Sequence, residues 1–351
     1  MRIVDALDSG DAATPARLHR SRWLALTLLL VVLVSLPFFV SGYRSFQLTL
    51  VLVYSSALLG LNILTGYAGQ ISLGHGAFHA IGAYAAAILI DRFGVPYWMT
   101  LPIAGALCLV AGYLFAWPAL RLEGHYLALA TFALGASMPQ LLKSRHVEAW
   151  TGGVQGIVIA KPDAPFGLPL SADQWLYLFT LAVTIAMFVI GWNLLRGSVG
   201  LALMAVRDAP VAAATAGIDT ARCKSLAFAI SAMYVGVAGA LGAIAVQFVA
   251  PDSFQVSLSI VLLIGIVVGG LSSIPGAVFG AIFIQFVPNV ANDISKAAPW
   301  AIYGLFLITF MFFMPSGIHG ATRIAWAWLI GPRKPGSARL RSRAHARKPP
   351  S

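Results

Sequence analysis

Polar residues are scarce along this chain and gather in short clusters, which leaves ten apolar runs between them. The runs occupy 23–40, 47–65, 76–90, 98–117, 125–142, 173–195, 225–248, 256–274, 277–295 and 298–314. A helix needs about 20 apolar residues to cross bilayer hydrocarbon, because each residue advances it by only ~1.5 Å. Most of the runs approach that length, so the pattern predicts transmembrane helices. The runs at 76–90 and 298–314 are short and suit tilted, broken or re-entrant helices, so eight full spans with a re-entrant pair fit as well as ten. The expected fold is all-α, a polytopic transmembrane helical bundle of about 8–10 spans.

Composition leaves no other solvent for these helices. Of 351 residues, 59% are hydrophobic and 10% charged, whereas a soluble domain carries about 25% charged residues. The formal charge of +11 lies mostly in the two tails, which excludes a general nucleic-acid surface. Arg17, Arg20 and Arg22 precede an apolar stretch from Trp23 to Val40. That stretch is longer than the about 7–15 residues of a signal-peptide core and no small-x-small site follows it, so it reads as a first transmembrane helix. The C-terminal basic residues Arg333, Lys334, Arg339, Arg341, Arg343, Arg347 and Lys348 lie among Pro, Ser and Ala with no apolar period. They read as a disordered cytoplasmic tail, with contact to anionic membrane lipid or binding of nucleic acid as alternative uses.

With the N-terminus inside and ten crossings, seventeen of the 23 Lys and Arg fall on the cytoplasmic side. Arg44, Arg92, Lys143, Arg145, Lys161 and Lys296 fall outside. The positive-inside rule favours that orientation, although the tails carry most of the bias. Both termini are expected in the cytoplasm, with 1–22 a short tail, 23–318 the transmembrane domain and 319–351 the basic tail.

Two loops are long. The external one, 143–172, holds Trp150-Thr-Gly-Gly-Val-Gln-Gly-Ile157 and a Pro-rich stretch. The cytoplasmic one, 196–224, has an Ala-rich middle that favours a short helix, interrupted by Pro210. It is too short and polar to cross, and a helix lying on that face suits a docking partner. Cys108 sits in an apolar run and Cys223 in the basic loop, so neither a disulfide nor a metal-type spacing is expected.

The most unusual stretch is Gly66-Tyr-Ala-Gly-Gln-Ile-Ser-Leu-Gly-His-Gly-Ala-Phe-His79. Each glycine lowers helix stability by roughly 1 kcal/mol against Ala. Non-helical backbone at membrane depth persists only where protein or a wet cavity satisfies it. The stretch is either a broken helix beside a solute pathway or a tight cytoplasmic hairpin whose small residues serve packing. His75 and His79 share a helix face. Gly76 stands where a metalloprotease pair needs Glu, and no nearby carboxylate or cysteine completes a site, so packing or pathway lining suits them better than metal. At an offset of 200 residues, Gly69, Ser72, Gly76 and Ala77 match Gly269, Ser272, Gly276 and Ala277, the mark of a weak internal repeat.

Absent features narrow the function further. All twelve acidic residues fall in tails, loops or span ends, with Asp91, Glu123, Asp173, Asp252 and Asp293 flanking helices. Proton-coupled carriers keep such groups inside as relays, so a self-powered proton symporter is disfavoured. The sequence contains no G-x-x-x-x-G-K-[ST], G-x-S-x-G or H-E-x-x-H. No cofactor is expected, and uphill transport would draw its energy from another chain. A membrane-embedded enzyme would need a buried nucleophile, metal or acid–base pair that the sequence does not offer.

In chain order, GLNILTGYAGQISLGHGAFHAIGAYAAAIL (60–89), RLEGHYLALATFALG (121–135), TGGVQGI (151–157), GLALMAVRDAPVAAATAGID (200–219), PDSF (251–254) and VVGGLSSIPGAVFGA (267–281) resemble the LivM-type permeases of branched-chain amino-acid ABC importers. The resemblance spans about 45–315. It implies a permease of the bacterial inner membrane that works with a second LivH-like permease, two cytoplasmic ATP-binding subunits and a periplasmic substrate-binding protein. It also implies that loop 196–224 docks into an ATPase through Arg207, Asp208, Ala213, Ala214 and Gly217. The Val-Ala-Ala-Ala-Thr-Ala run at 211–216 departs from the family, whose members commonly carry acidic residues there. Solute is expected to pass by alternating access along Asn62, Gln70, Ser72, His75, His79 and Thr131, with no covalent chemistry in this chain. Branched-chain amino acids are the expected cargo. Urea, short amides and other small solutes carried by similar permeases are the alternatives, with a stand-alone secondary carrier as the rival from another class.

Overall fold

The computed structural model describes residues 14–119, 125–164, 169–294, 299–313, 317–318 and 320. The basic C-terminal run from Arg333 onward and the first thirteen residues lie outside the described residues.

Helix α1 (Thr14–Phe39) is followed by α2 (Gly42–Asn62), which runs on into a π turn at Ile63–Tyr67. Next come α3 (His75–Phe93), α4 (Tyr97–Ala119), α5 (His125–Leu142), the single turn α6 (Glu148–Thr151) and α7 (Ala172–Arg196). Two short helices, α8 (Ser198–Asp208) and α9 (Pro210–Thr215), lead to α10 (Thr220–Val246), α11 (Val256–Gly269), α12 (Ile274–Ile294) and α13 (Pro299–Phe313). The strands among the described residues are β1 (Ile157–Val158) and β2 (Phe248–Val249), paired antiparallel.

Each apolar run maps onto a helix. Among the described residues, five stretches are long and apolar enough to cross a membrane: Gly42–Tyr67, Tyr97–Pro118, Ala172–Arg196, Thr220–Val246 and Ile274–Asp293. The chain is thus an all-α, multi-pass membrane protein. Large apolar side chains such as Leu28, Leu107, Leu114 and Trp117 point outward, the surface that hydrocarbon requires.

Several boundaries differ from the sequence pattern, with α1 starting at Thr14 rather than 23 and α2 at Gly42 rather than 47, and two further differences have a local cause. The run 256–274 stops being helical at Gly269, because Gly270 (φ 112) and Ser272 (φ 57) leave right-handed helical space. Cys223, expected in a loop, lies in the first turn of α10. That helix begins at Thr220, where the Asp219 carboxylate accepts a hydrogen bond from the Arg222 N–H at 3.0 Å.

The centre of the bundle is α10, whose crossing segment is 78% buried, against 33% for α7. Small residues set this position. A Cβ on Gly82 of α3 would lie 1.9 Å from the Gly236 carbonyl, and one on Gly239 would lie 2.1 Å from the His79 carbonyl. The α3 and α10 backbones therefore touch directly, the close approach that small residues permit inside a membrane.

Loops sort to two ends. At one end Arg92 donates to the Ala149 carbonyl at 2.6 Å, and β1 pairs with β2. Lys143 meets Asp252 at 2.6 Å and Lys161 meets Asp173 at 2.5 Å at the same end. At the other end, α8 meets the close of α2 and the α11–α12 turn through Arg207.

Candidate functional site

The backbone leaves helical form between the π turn and His75. Gln70 N–H reaches back to the Leu64 carbonyl at 3.1 Å, a wider loop than an α-helix makes. Gly69 adopts φ +69, a conformation that L side chains rarely take, and its Cα packs where a Cβ would lie 2.6 Å from Arg207 Cγ. The rest of the break is held by neighbouring helices. Leu73 N–H donates to Thr131 Oγ1 at 3.0 Å, and Gly76 N–H donates to Ser259 Oγ at 2.8 Å. The second bond satisfies one of the orphan donors at the start of α3. The segment is thus embedded among α5, α10 and α11.

His75 is fully buried. Its Nδ1 lies 2.8 Å from Ser72 Oγ and its Nε2 lies 2.8 Å from Ser231 Oγ of α10. Serine hydroxyls both donate and accept, so this pair satisfies a neutral imidazole in either tautomer. Phe78 and Phe228 close over the ring, with centroids 5.8 and 5.5 Å away. With both nitrogens engaged, His75 is not free to share a metal with His79.

His79 faces α10 one turn further on, 8% exposed, with neither ring nitrogen partnered among the described residues. Gln70, 6% exposed, has the same character, with both amide atoms unpartnered among the described residues. Asn62 is committed instead, since it donates to the Ser273 carbonyl at 2.8 Å and accepts from Ser272 N–H at 2.9 Å. Thr131 is also committed, donating to the Ala128 carbonyl at 3.0 Å while accepting from Leu73. Of the six residues singled out for a solute path, Asn62, Ser72, His75 and Thr131 hold the break together. Gln70 and His79 retain free hydrogen-bonding capacity.

Arg207, in the last turn of α8, turns inward. Its Nη1 donates to the Gly66 carbonyl at 2.6 Å and to Ser272 Oγ at 2.8 Å, and its Nε donates to Asp208 at 2.8 Å. Ser272 Oγ in turn donates to the Gly66 carbonyl at 2.7 Å. One guanidinium thus ties α8 to the break after α2 and to the break between α11 and α12. The Asp208 carboxyl is fully exposed and held below its ordinary pKa, chiefly by the hydrogen bond from Arg207.

In α9 Ala213 is buried, whereas Val211 and Ala214, and Gly217 just after the helix, are exposed. Ala213 serves internal packing. Sequence reading did not single out Ser231, Ser259 or Ser273, each of which holds a break residue.

A family model described as the permease component of the branched-chain amino acid transport system matches residues 43–314. The high-affinity branched-chain amino acid transport system permease protein LivM of Escherichia coli is 34% identical over 324 residues, covering 86% of this chain and 75% of that protein. The probable branched-chain amino acid transport permease protein LivH of Methanocaldococcus jannaschii is 25% identical over 290 residues, 77% of this chain and 90% of that one. The autoinducer 2 import system permease protein LsrC of Escherichia coli is 27% identical over 320 residues, 84% and 87% of the two chains. No solved structure matches the chain.

Proposed function

The chain belongs to the family of branched-chain amino acid transport system permease components, and from that premise we propose that it is a membrane subunit of an ABC importer for branched-chain amino acids. It sits in the bacterial inner membrane and forms the translocation path with a second, LivH-like permease. Two cytoplasmic ATP-binding subunits supply the energy, and a periplasmic binding protein delivers the solute. The chain has no ATPase site of its own and does no covalent chemistry.

The observation that carries this reading is the Arg207 junction. A partner that pulls on α8 and α9 acts through one guanidinium on Gly66 and Ser272 together, so both helix breaks respond at once. Hydrogen bonds from a charged donor are worth about 1.5–3 kcal/mol each, enough to transmit a displacement. The cargo reading draws on the likeness to LivM. It also draws on the placement of charge, since outside α1 the Lys, Arg, Asp and Glu of the described helices lie near helix ends. Such a path suits a zwitterion better than a net ion.

The test is reconstitution of the chain in liposomes with its sister permease, ATPases and binding protein. The assay would measure uptake of leucine, valine, urea and acetamide together with ATP hydrolysis. ATP-dependent leucine uptake is expected. In Arg207→Gln, hydrolysis should persist while leucine moved per ATP falls about tenfold, the size of one lost charged hydrogen bond. Uptake that needs no ATPase subunits would identify a stand-alone carrier. An unchanged leucine-to-ATP ratio in the variant would remove Arg207 from the coupling route.

A further inference from the structure

A cavity of about 180 Å3 lies between α2, α3, α10 and the start of α11, beside β2. Its walls include Val53, Phe254, Leu258, Gly242 and His79. The lining is mostly apolar, with polar side chains at Tyr54, Ser253 and His79. The His79 ring centroid is 5.9 Å from that of Phe254, and its nitrogens have no partner among the described residues. Two glycines of α10 line the cavity and differ in kind. Gly239 is pressed against α3 backbone, with an added Cβ only 2.1 Å from the His79 carbonyl. Gly242 has room. A Cβ there would rest 3.5 Å from His79 Cε1 and 3.5 Å from Val53 Cγ1, ordinary contact distances. Its missing side chain therefore leaves space beside the imidazole.

We propose that this cavity is a transient seat for the aliphatic side chain of the solute, with His79 meeting the solute's polar end. The inference rests on the reading that the cargo is an amino acid. Size supports it, because a cavity of about 150 Å3 lined by Leu, Ile and Phe takes up benzene, and a branched four-carbon side chain is comparable. Chemistry supports it too, since a neutral imidazole can donate to a carboxylate through one nitrogen or accept from an ammonium group through the other. The permease then adds its own selection for solute size to that of the binding protein. The rival occupant is a lipid acyl chain entering past the exposed Val246 and Phe248. Hydrocarbon would leave both His79 nitrogens unpaired in an apolar setting, an unfavourable arrangement.

The experiment uses the complete reconstituted importer with saturating binding protein, comparing leucine, valine and alanine uptake in wild type, Gly242→Ala, Gly242→Val, His79→Gln and His79→Leu. In Gly242→Val, leucine uptake should fall about tenfold, the effect of a misplaced methyl group in an apolar pocket, with valine losing less and alanine least. His79→Gln should keep more leucine uptake than His79→Leu. As a second readout, Ser253→Cys at the cavity wall should be shielded from maleimide by leucine, and His79→Leu should abolish the shielding. Equal losses for all three amino acids in an intact complex, or no loss of leucine uptake, would overturn the seat and leave the importer reading standing. A phospholipid retained by wild type and released by Gly242→Val in native mass spectrometry would also overturn it, in favour of lipid. A wild-type complex that moves no amino acid would sink the importer reading's choice of cargo and the seat with it.

Discussion

His75 and His79 lie one turn apart on α3, face the same neighbouring helix, and live in opposite surroundings. Opposite His75, α10 presents Ser231, and the break contributes Ser72, so both ring nitrogens are taken. Opposite His79, α10 presents Gly239 and Gly242, which offer no hydrogen-bonding side chain, and both nitrogens remain unpartnered among the described residues. Helical spacing puts the two rings on one face, but the partner helix decides what each ring does. Across from serine, the imidazole fastens a helix break. Across from glycine, it lines a cavity.

The contrast can be broken most severely at the contact that holds both rings in register. In Gly82→Val the new Cβ would fall 1.9 Å from the Gly236 carbonyl, where only backbone stands in the way. Loss of the monodisperse permease peak in detergent size-exclusion is expected. Next in size is His75→Leu, which removes two hydrogen bonds and strands the Ser72 and Ser231 hydroxyls. Interhelical hydrogen bonds in membranes average about 0.6 and reach about 1.7 kcal/mol, so a loss of roughly 1–3 kcal/mol is expected, read as a lower Tm in detergent. For His79→Leu the sign should reverse. Replacing a buried, unpaired polar group by an apolar one is expected to leave Tm unchanged or raise it by about 1 kcal/mol equivalent, while leucine uptake falls. A fall in Tm equal to that of His75→Leu would show that His79 also has a structural bond.

The smallest effect belongs to the surface. The Asp208 pKa is lowered in the folded protein, so any stability it contributes is present above its unfolded value and disappears as pH falls through the folded one. Because the group is fully exposed, Asp208→Asn should match the wild-type Tm at neutral pH. Any difference between the two should vanish on acidification below the ordinary carboxylate range.

The ten helices were legible because hydrophobicity overwhelms every other signal in a chain with so little charge. A break within 66–79 was legible as well, since four glycines crowd the stretch, although the non-helical part is only 68–74 and both histidines belong to α3. What holds the break was not. Ser231 and Ser259 look in sequence like Ser55, which donates to the Val51 carbonyl of its own helix at 2.7 Å. Only the packed neighbour separates a hydroxyl that crosses between helices from one that folds back. The same holds for Arg207, whose place in the loop 196–224 does not disclose that its guanidinium reaches Gly66 and Ser272. The turn at 270–273 was legible only as part of a Gly- and Ser-rich stretch, and the apolar run drawn through it to 274 overshot the helix end at Gly269.

The bare contact between α3 and α10 also determines how this molecule can deform. Helices that meet through side chains can exchange rotamers and slip past one another. Two backbones in contact have no such freedom, so α3 and α10 travel as a single strut. Mobility is then concentrated where regular hydrogen bonding is already interrupted, at 68–74 and 270–273, the two joints that Arg207 spans. Spin labels on α3 and α10 should therefore keep a constant separation through the nucleotide cycle, while a pair placed across either joint should not.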